Sequence, residues 1–258
     1  GSYSTTNEQE DGNLDVIFTD TVENVDVYLR LRQKVDGTAQ QNAKIGNNLG
    51  TLSFGDDDGA VDPVDSKVPT IFNDSSAKQM IAGLTSDYKD GDQGDNTITY
   101  HSPSIGSSSF KLGYTKGEGA DNVAGSGDII SASVSTSLGP LSLSAGSAMH
   151  DTAALTASAA AFDSTFITAS TTFAGTKIGA GYYDSDYGDS SYNVGILVPL
   201  SGMDLNATYS SHDEQTGHDP SGYMIGIGKS FGYADFTVEY HHADLTGAQA
   251  GEVDTVRL

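Results

Sequence analysis

The chain has 258 residues, 36% of them hydrophobic, with no cysteine and a formal net charge of −23. The missing cysteine excludes a disulfide framework and thiol chemistry, and 12 basic against 35 acidic residues give phosphate backbones little to bind, which excludes nucleic acid as a partner. No apolar run reaches the roughly 18 residues of a transmembrane helix, which leaves open a transmembrane barrel, where only alternate strand residues meet lipid.

The chain opens on Gly1-Ser2-Tyr3-Ser4 without a basic or apolar leader and stops at Arg257-Leu258 within an alternating pattern. Both ends are therefore expected to belong to incomplete first and last strands. From there, hydrophobic alternation at period two recurs along almost the whole length. Val16 and Phe18 mark one strand. In the stretch 25–34, Val25, Val27, Leu29 and Leu31 take one phase, and Asp26, Tyr28, Arg30, Arg32 and Lys34 take the other. A helix would scatter these residues around its circumference, so the pattern predicts a strand.

Ala43 with Ile45 and Leu52 with Phe54 form the next pair, followed by a long acidic stretch from Asp56 to Gly94. A connection of that length is functional or disordered in a compact domain. Within it, residues 74–83 have a capping Asp74 or Ser75 and a terminating Gly83, which predicts a short helix. Alternation resumes at Ile98 and Tyr100, then Phe110, Leu112 and Tyr114, and continues to Val238 and Tyr240. About sixteen strands result, an even number as bacterial single-chain barrels require.

Two features favour a membrane barrel over a soluble sandwich. Charge is nearly absent from the apolar phase: Lys111, Lys177, Asp204, Asp235, Glu239 and Arg257 fall on the polar phase, and Lys229 is expected to snorkel at an interface. Connections also alternate in length, with short turns at 137–140, 174–176, 199–202 and 230–233. Long acidic loops are expected at 116–127, 146–163, 183–190, 210–221 and 242–252. Tyr100, Tyr114, Tyr182, Tyr192, Tyr209, Tyr223 and Phe236 fit aromatic girdles at the two membrane interfaces.

The segments Asn48-Leu-Gly-Thr-Leu-Ser-Phe-Gly55, Asp95-Asn-Thr-Ile-Thr-Tyr-His-Ser-Pro103 and Ser109-Phe-Lys-Leu-Gly-Tyr114 resemble those flanking the third loop of Gram-negative general diffusion porins. The fold class expected is all-β, a single transmembrane antiparallel β-barrel domain over 1–258 with about 16 strands and an inward-folded constriction loop at 56–94. The resemblance further implies a homotrimer in the bacterial outer membrane, in contact with lipid and lipopolysaccharide. It also implies passive flux of ions and small hydrophilic solutes.

The candidate constriction opposes a basic ladder, Arg30, Arg32, Lys34 and Lys44, to acidic loop residues Asp56, Asp57, Asp58, Asp62, Asp65 and Asp74. Facing charges of this kind set a transverse field and hence selectivity. The surplus of acid favours cations, although the ladder opposes this locally. Asp90, Asp92 and Asp95 offer oxygen ligands of the kind Ca²⁺ takes, without the EF-hand spacing, and no cofactor is otherwise expected. His241 and His242 point to opposite strand faces, so one metal cannot easily take both. No Ser–His–Asp arrangement stands out, and the chain is not expected to be an enzyme. The alternative is a secreted acidic β-rich adhesin or calcium-stabilised surface protein.

Overall fold

The structure is a computed structural model. It describes residues 2–8, 13–33, 39–56, 60–61, 96–116, 128–150, 162–186, 190–213, 219–231, 235–246 and 251–257. Sixteen strands lie side by side in chain order in one sheet, and each pairing whose register is given is antiparallel.

One compact unit is built on β1 (Ser2–Glu8), β2 (Asn13–Val22), β3 (Val25–Gln33), β4 (Ala39–Asn47), β5 (Gly50–Gly55), β6 (Thr97–His101) and β7 (Ser108–Thr115). Its register aligns apolar residues into rows. Phe18 sits opposite Leu29, Leu29 opposite Ala43, Ala43 opposite Phe54, Phe54 opposite Ile98 and Ile98 opposite Tyr114. The other face carries Asp15, Arg30, Arg32, Lys44, Ser53, Thr99 and Lys111, displaced by one residue in each strand. Strand alternation alone produces this division, because successive side chains leave a strand on opposite sides.

β8 (Ile129–Leu138) and β9 (Leu141–His150) each have residues in both units. The second unit contains β10 (Phe162–Phe173), β11 (Thr176–Ser185), β12 (Ser190–Leu200), β13 (Met203–Asp213), β14 (Ser221–Ser230), β15 (Asp235–Leu245) and β16 (Gly251–Arg257). Its rows follow the same rule: Ile178, Ile196, Ala207, Ile225, Tyr240 and Val256 are successive neighbours on one face. Tyrosines gather toward the long-loop ends of these strands, with Tyr192 and Tyr209 centred 5.9 Å apart and Tyr223 and Tyr240 6.1 Å apart.

The burial pattern is the reverse of a soluble core. Leu29, Ile98, Leu112, Ile167, Val194, Ile225 and many like them are exposed, with Phe173 reaching 78%. Ser53, Thr97, Thr99, Ser164, Thr208 and Glu239 on the polar face are buried. A soluble monomer rarely exposes apolar area on this scale, whereas lipid would cover it. The strands of 10–12 residues in β8–β15 meet the roughly 9–11 residues a tilted strand needs to cross a bilayer.

Short connections are tight two-residue turns. Glu23 and Asn24 have φ of 50° and 68°, Ala174 and Gly175 have 50° and 83°, and Ser201 and Gly202 have 52° and 79°. Two successive positive φ values match the right-handed twist of the flanking strands. On the opposite rim, several strands run further than the apolar pattern extends. β15 reaches Leu245 and β16 begins at Gly251, inside the stretch expected to be loop 242–252. The first strand spans Ser2–Glu8 rather than a stub.

Candidate pore-lining site

β3 and its neighbours position the basic ladder. Arg30 and Arg32 fall on one face because they are two residues apart, and the register sets Arg32 opposite Asp15. Asp15 is buried and takes both. Arg32 donates from Nε to Oδ1 and from Nη2 to Oδ2, each at 2.8 Å, and Arg30 donates from Nη2 to Oδ2 at 2.8 Å. A paired fork of this kind is the strong form of charge-assisted hydrogen bond. The sequence reading did not single out Asp15. A signal for it exists: Asp15 and Arg32 each stand eight residues from the turn at Glu23–Asn24, and a two-residue hairpin turn makes such residues partners.

Lys44 lies opposite Tyr28 on one side and Ser53 on the other. It borders a cavity of about 700 Å³ on this face, whose walls include Thr19, Thr21, Asp26, Tyr28 and Thr51. The Thr21 hydroxyl donates to Asp26 at 2.7 Å.

The acidic stretch leaves β5 at Asp56, where its direction is fixed. The Asp56 amide donates to the Gln41 carbonyl at 2.7 Å, and the Asp56 carboxylate accepts the Gln41 amide at 2.5 Å. Asp56 therefore extends the β4–β5 ladder. Beyond it, Ala60 and Val61 are buried, and Ala60 lies against the polar face of β7 and β8. The Ala60 amide donates to Ser131 Oγ at 3.3 Å, and the Ser133 hydroxyl donates to the Ala60 carbonyl. Gly113 makes this approach possible, since a Cβ there would lie 2.6 Å from Ser131 Oγ and 3.2 Å from the Ala60 Cβ. Of the remaining expected site residues, Lys34, Asp57, Asp58, Asp62, Asp65, Asp74, Asp90, Asp92 and Asp95 lie outside the described residues, as does the expected helix 74–83.

The second unit has its own polar surface. His241 Nε2 is 3.0 Å from a Glu239 oxygen, and Glu239 is fully buried. Asn206, Thr208, Ser210 and His212 follow one another along the same face of β13. His242 points the other way, 2.9 Å from Asp254, so the two histidines part as strand alternation requires. Phe166 and Tyr183 form a buried aromatic pair on the polar face, centroids 5.0 Å apart, which apolar periodicity did not indicate. Lys229 lies at the end of β14 with its ammonium 5.1 Å from the Phe231 ring, where a snorkelling cation belongs.

Apolar side chains on one face of the described strands, with ionised and hydroxyl groups on the other, define the class: a membrane-spanning β-channel. A model of the family described as Gram-negative porin matches residues 3–258, and the chain belongs to that family. It is accordingly a transmembrane antiparallel β-barrel of the bacterial outer membrane, a channel for passive diffusion and not an enzyme. Comparison with curated protein sequences found no match.

Several solved structures share the fold. An anion-selective porin from Comamonas acidovorans superposes with a TM-score of 0.71 at 19% identity, covering 95% of this chain and 84% of that one. The trimer form of OmpT, an outer membrane protein of Vibrio cholerae, gives 0.64 at 18% identity, covering 95% and 86%. A mutant of the Rh. blastica porin gives 0.63 at 16%, covering 95% and 87%.

Proposed function

We propose that segment 56–94 narrows the channel and that its carboxylates, from Asp56, Asp57, Asp58, Asp62, Asp65 and Asp74, oppose the ladder of Arg30, Arg32, Lys34 and Lys44. Ions and small hydrophilic solutes then pass through a transverse field, and those with a dipole align in it. The observation that carries this reading is the root of the segment: Ala60 and Val61 are buried, and Ala60 is bonded to Ser131 and Ser133 on the polar face rather than turned outward. The trimer form of OmpT supports a homotrimer, with lipid and lipopolysaccharide against the apolar face.

The test is ion selectivity in planar bilayers. Asp56 is engaged at a strand end, so the charges to remove are the next two. Replacing Asp57 and Asp58 together by Asn is expected to lower cation permeability relative to anions, read from the zero-current potential in a salt gradient. An unchanged potential removes the acidic segment from the constriction.

A further inference from the structure

We propose that Asp15 determines the ion preference of the basic ladder by holding both guanidinium groups and cancelling one of their two charges. This rests on the ladder lining the pore, as proposed above. The carboxylate itself is hidden: Asp15 is 1% exposed, while the Arg32 and Arg30 side chains are 16% and 30% exposed. A passing ion therefore meets arginine N–H groups, but Asp15, Arg30 and Arg32 together sum to one positive charge rather than the two of the arginines alone.

Three bonds at 2.8 Å use both carboxylate oxygens. The arginines contribute unequally. Arg32 is gripped through two nitrogens, whereas Arg30 reaches the same oxygen with one and leaves its own Nε buried without a partner. Arg30 thus forgoes a hydrogen bond to reach the carboxylate, so its orientation is set by Asp15. Burying a carboxylate is costly unless it is paired and bonded, and this one satisfies two cations at once. Across the register the ladder meets neutral residues, Gln40 opposite Arg32 and Asn42 opposite Arg30.

Asp15 is in this sense a positioning residue whose charge also sets selectivity. Substituting Asn keeps the size of the side chain and removes the charge, leaving two guanidinium groups as a +2 site. One unit charge about 4 Å from an ion in water is worth roughly a fivefold change in local ion concentration.

The experiment compares zero-current potentials in a KCl gradient for the parent, D15N, R32Q and the double variant D15N/R32Q, reconstituted as full-length channels. The expected result is an anion-to-cation permeability ratio raised in D15N, by up to about 25-fold because anions gain and cations lose about fivefold each, and lowered in R32Q. In the double variant, whose cluster again carries +1, the ratio returns to the parent value. A purely structural Asp15 would not give that return. D15N channels that conduct with the parent's ratio would overturn the proposal, and so would a double variant that keeps the D15N shift. Should D15N fail to insert, R32Q and the double variant decide alone, since the proposal requires the first to lower the ratio and the second to restore it. If all three variants give the parent's potential, the ladder lies away from the ion path and the pore-lining reading fails instead.

Discussion

Gly113→Ala tests how the acidic segment is anchored. The added methyl would stand 2.6 Å from Ser131 Oγ, 3.1 Å from the Ala60 nitrogen and 3.2 Å from the Ala60 Cβ. The Ser131 hydroxyl can rotate away, but it then abandons the Ala60 amide, which is buried and donates to that oxygen. An orphaned buried amide costs about 1–3 kcal/mol, while replacing glycine within a strand returns roughly 0.5–1 kcal/mol. The net expectation is a loss centred on about 1 kcal/mol. It is measured as a lowered midpoint in urea unfolding of the reconstituted protein. Single-channel recording should show a wider spread of conductance as the root loosens. In a Ser131→Ala background the same substitution should cost less, because the clashing oxygen is gone. Parent stability and parent conductance in Gly113→Ala would refute the anchoring argument.

Other expectations follow from the faces and turns. Ile225→Lys places a charge on the lipid face of β14 and should destabilise the folded protein in bilayers by about 2–4 kcal/mol, measured by equilibrium unfolding from vesicles. A cost near zero would mean that this face is wet. Gly50→Ala should be more damaging than Gly113→Ala. Gly50 has φ of +127°, and a Cβ there would stand 2.5 Å from the His101 carbonyl oxygen and 2.7 Å from the Tyr100 ring. A loss of about 2 kcal/mol or more is expected by the same unfolding assay.

Most of the strand framework was legible because lipid enforces one apolar residue in every two. The stretch 25–34 was assigned to within one residue of β3, and the pairs entering and leaving the acidic segment match β4–β5 and β6–β7. The pattern faded where strands leave the membrane. At His241, His242, Asp244, Glu252 and Asp254 both faces are polar, so alternation vanishes although β15 and β16 continue. There the backbone ladder persists without a hydrophobic signature.

The charge arrangement was legible only in part. Arg30 and Arg32 stood out by clustering, whereas Asp15 looked like one acid among 35, and only the hairpin register pairs it with them. From its length the acidic segment is expected to be functional or disordered, and its inward course is the proposal made above. Its first contact depends on the small residues Gly113, Ser131 and Ser133, which carry no distinctive pattern in a chain with 31 glycines.

The whole account depends on which face meets water, and the absence of cysteine makes this directly measurable. Single cysteines at Tyr28 and Lys111 on the polar phase, and at the adjacent Leu29 and Leu112 on the apolar phase, can be challenged with a charged, membrane-impermeant thiol reagent during bilayer recording. Current should fall on modification at 28 and 111 and hold steady at 29 and 112. Block at 29 and 112, with 28 and 111 inert, would contradict it.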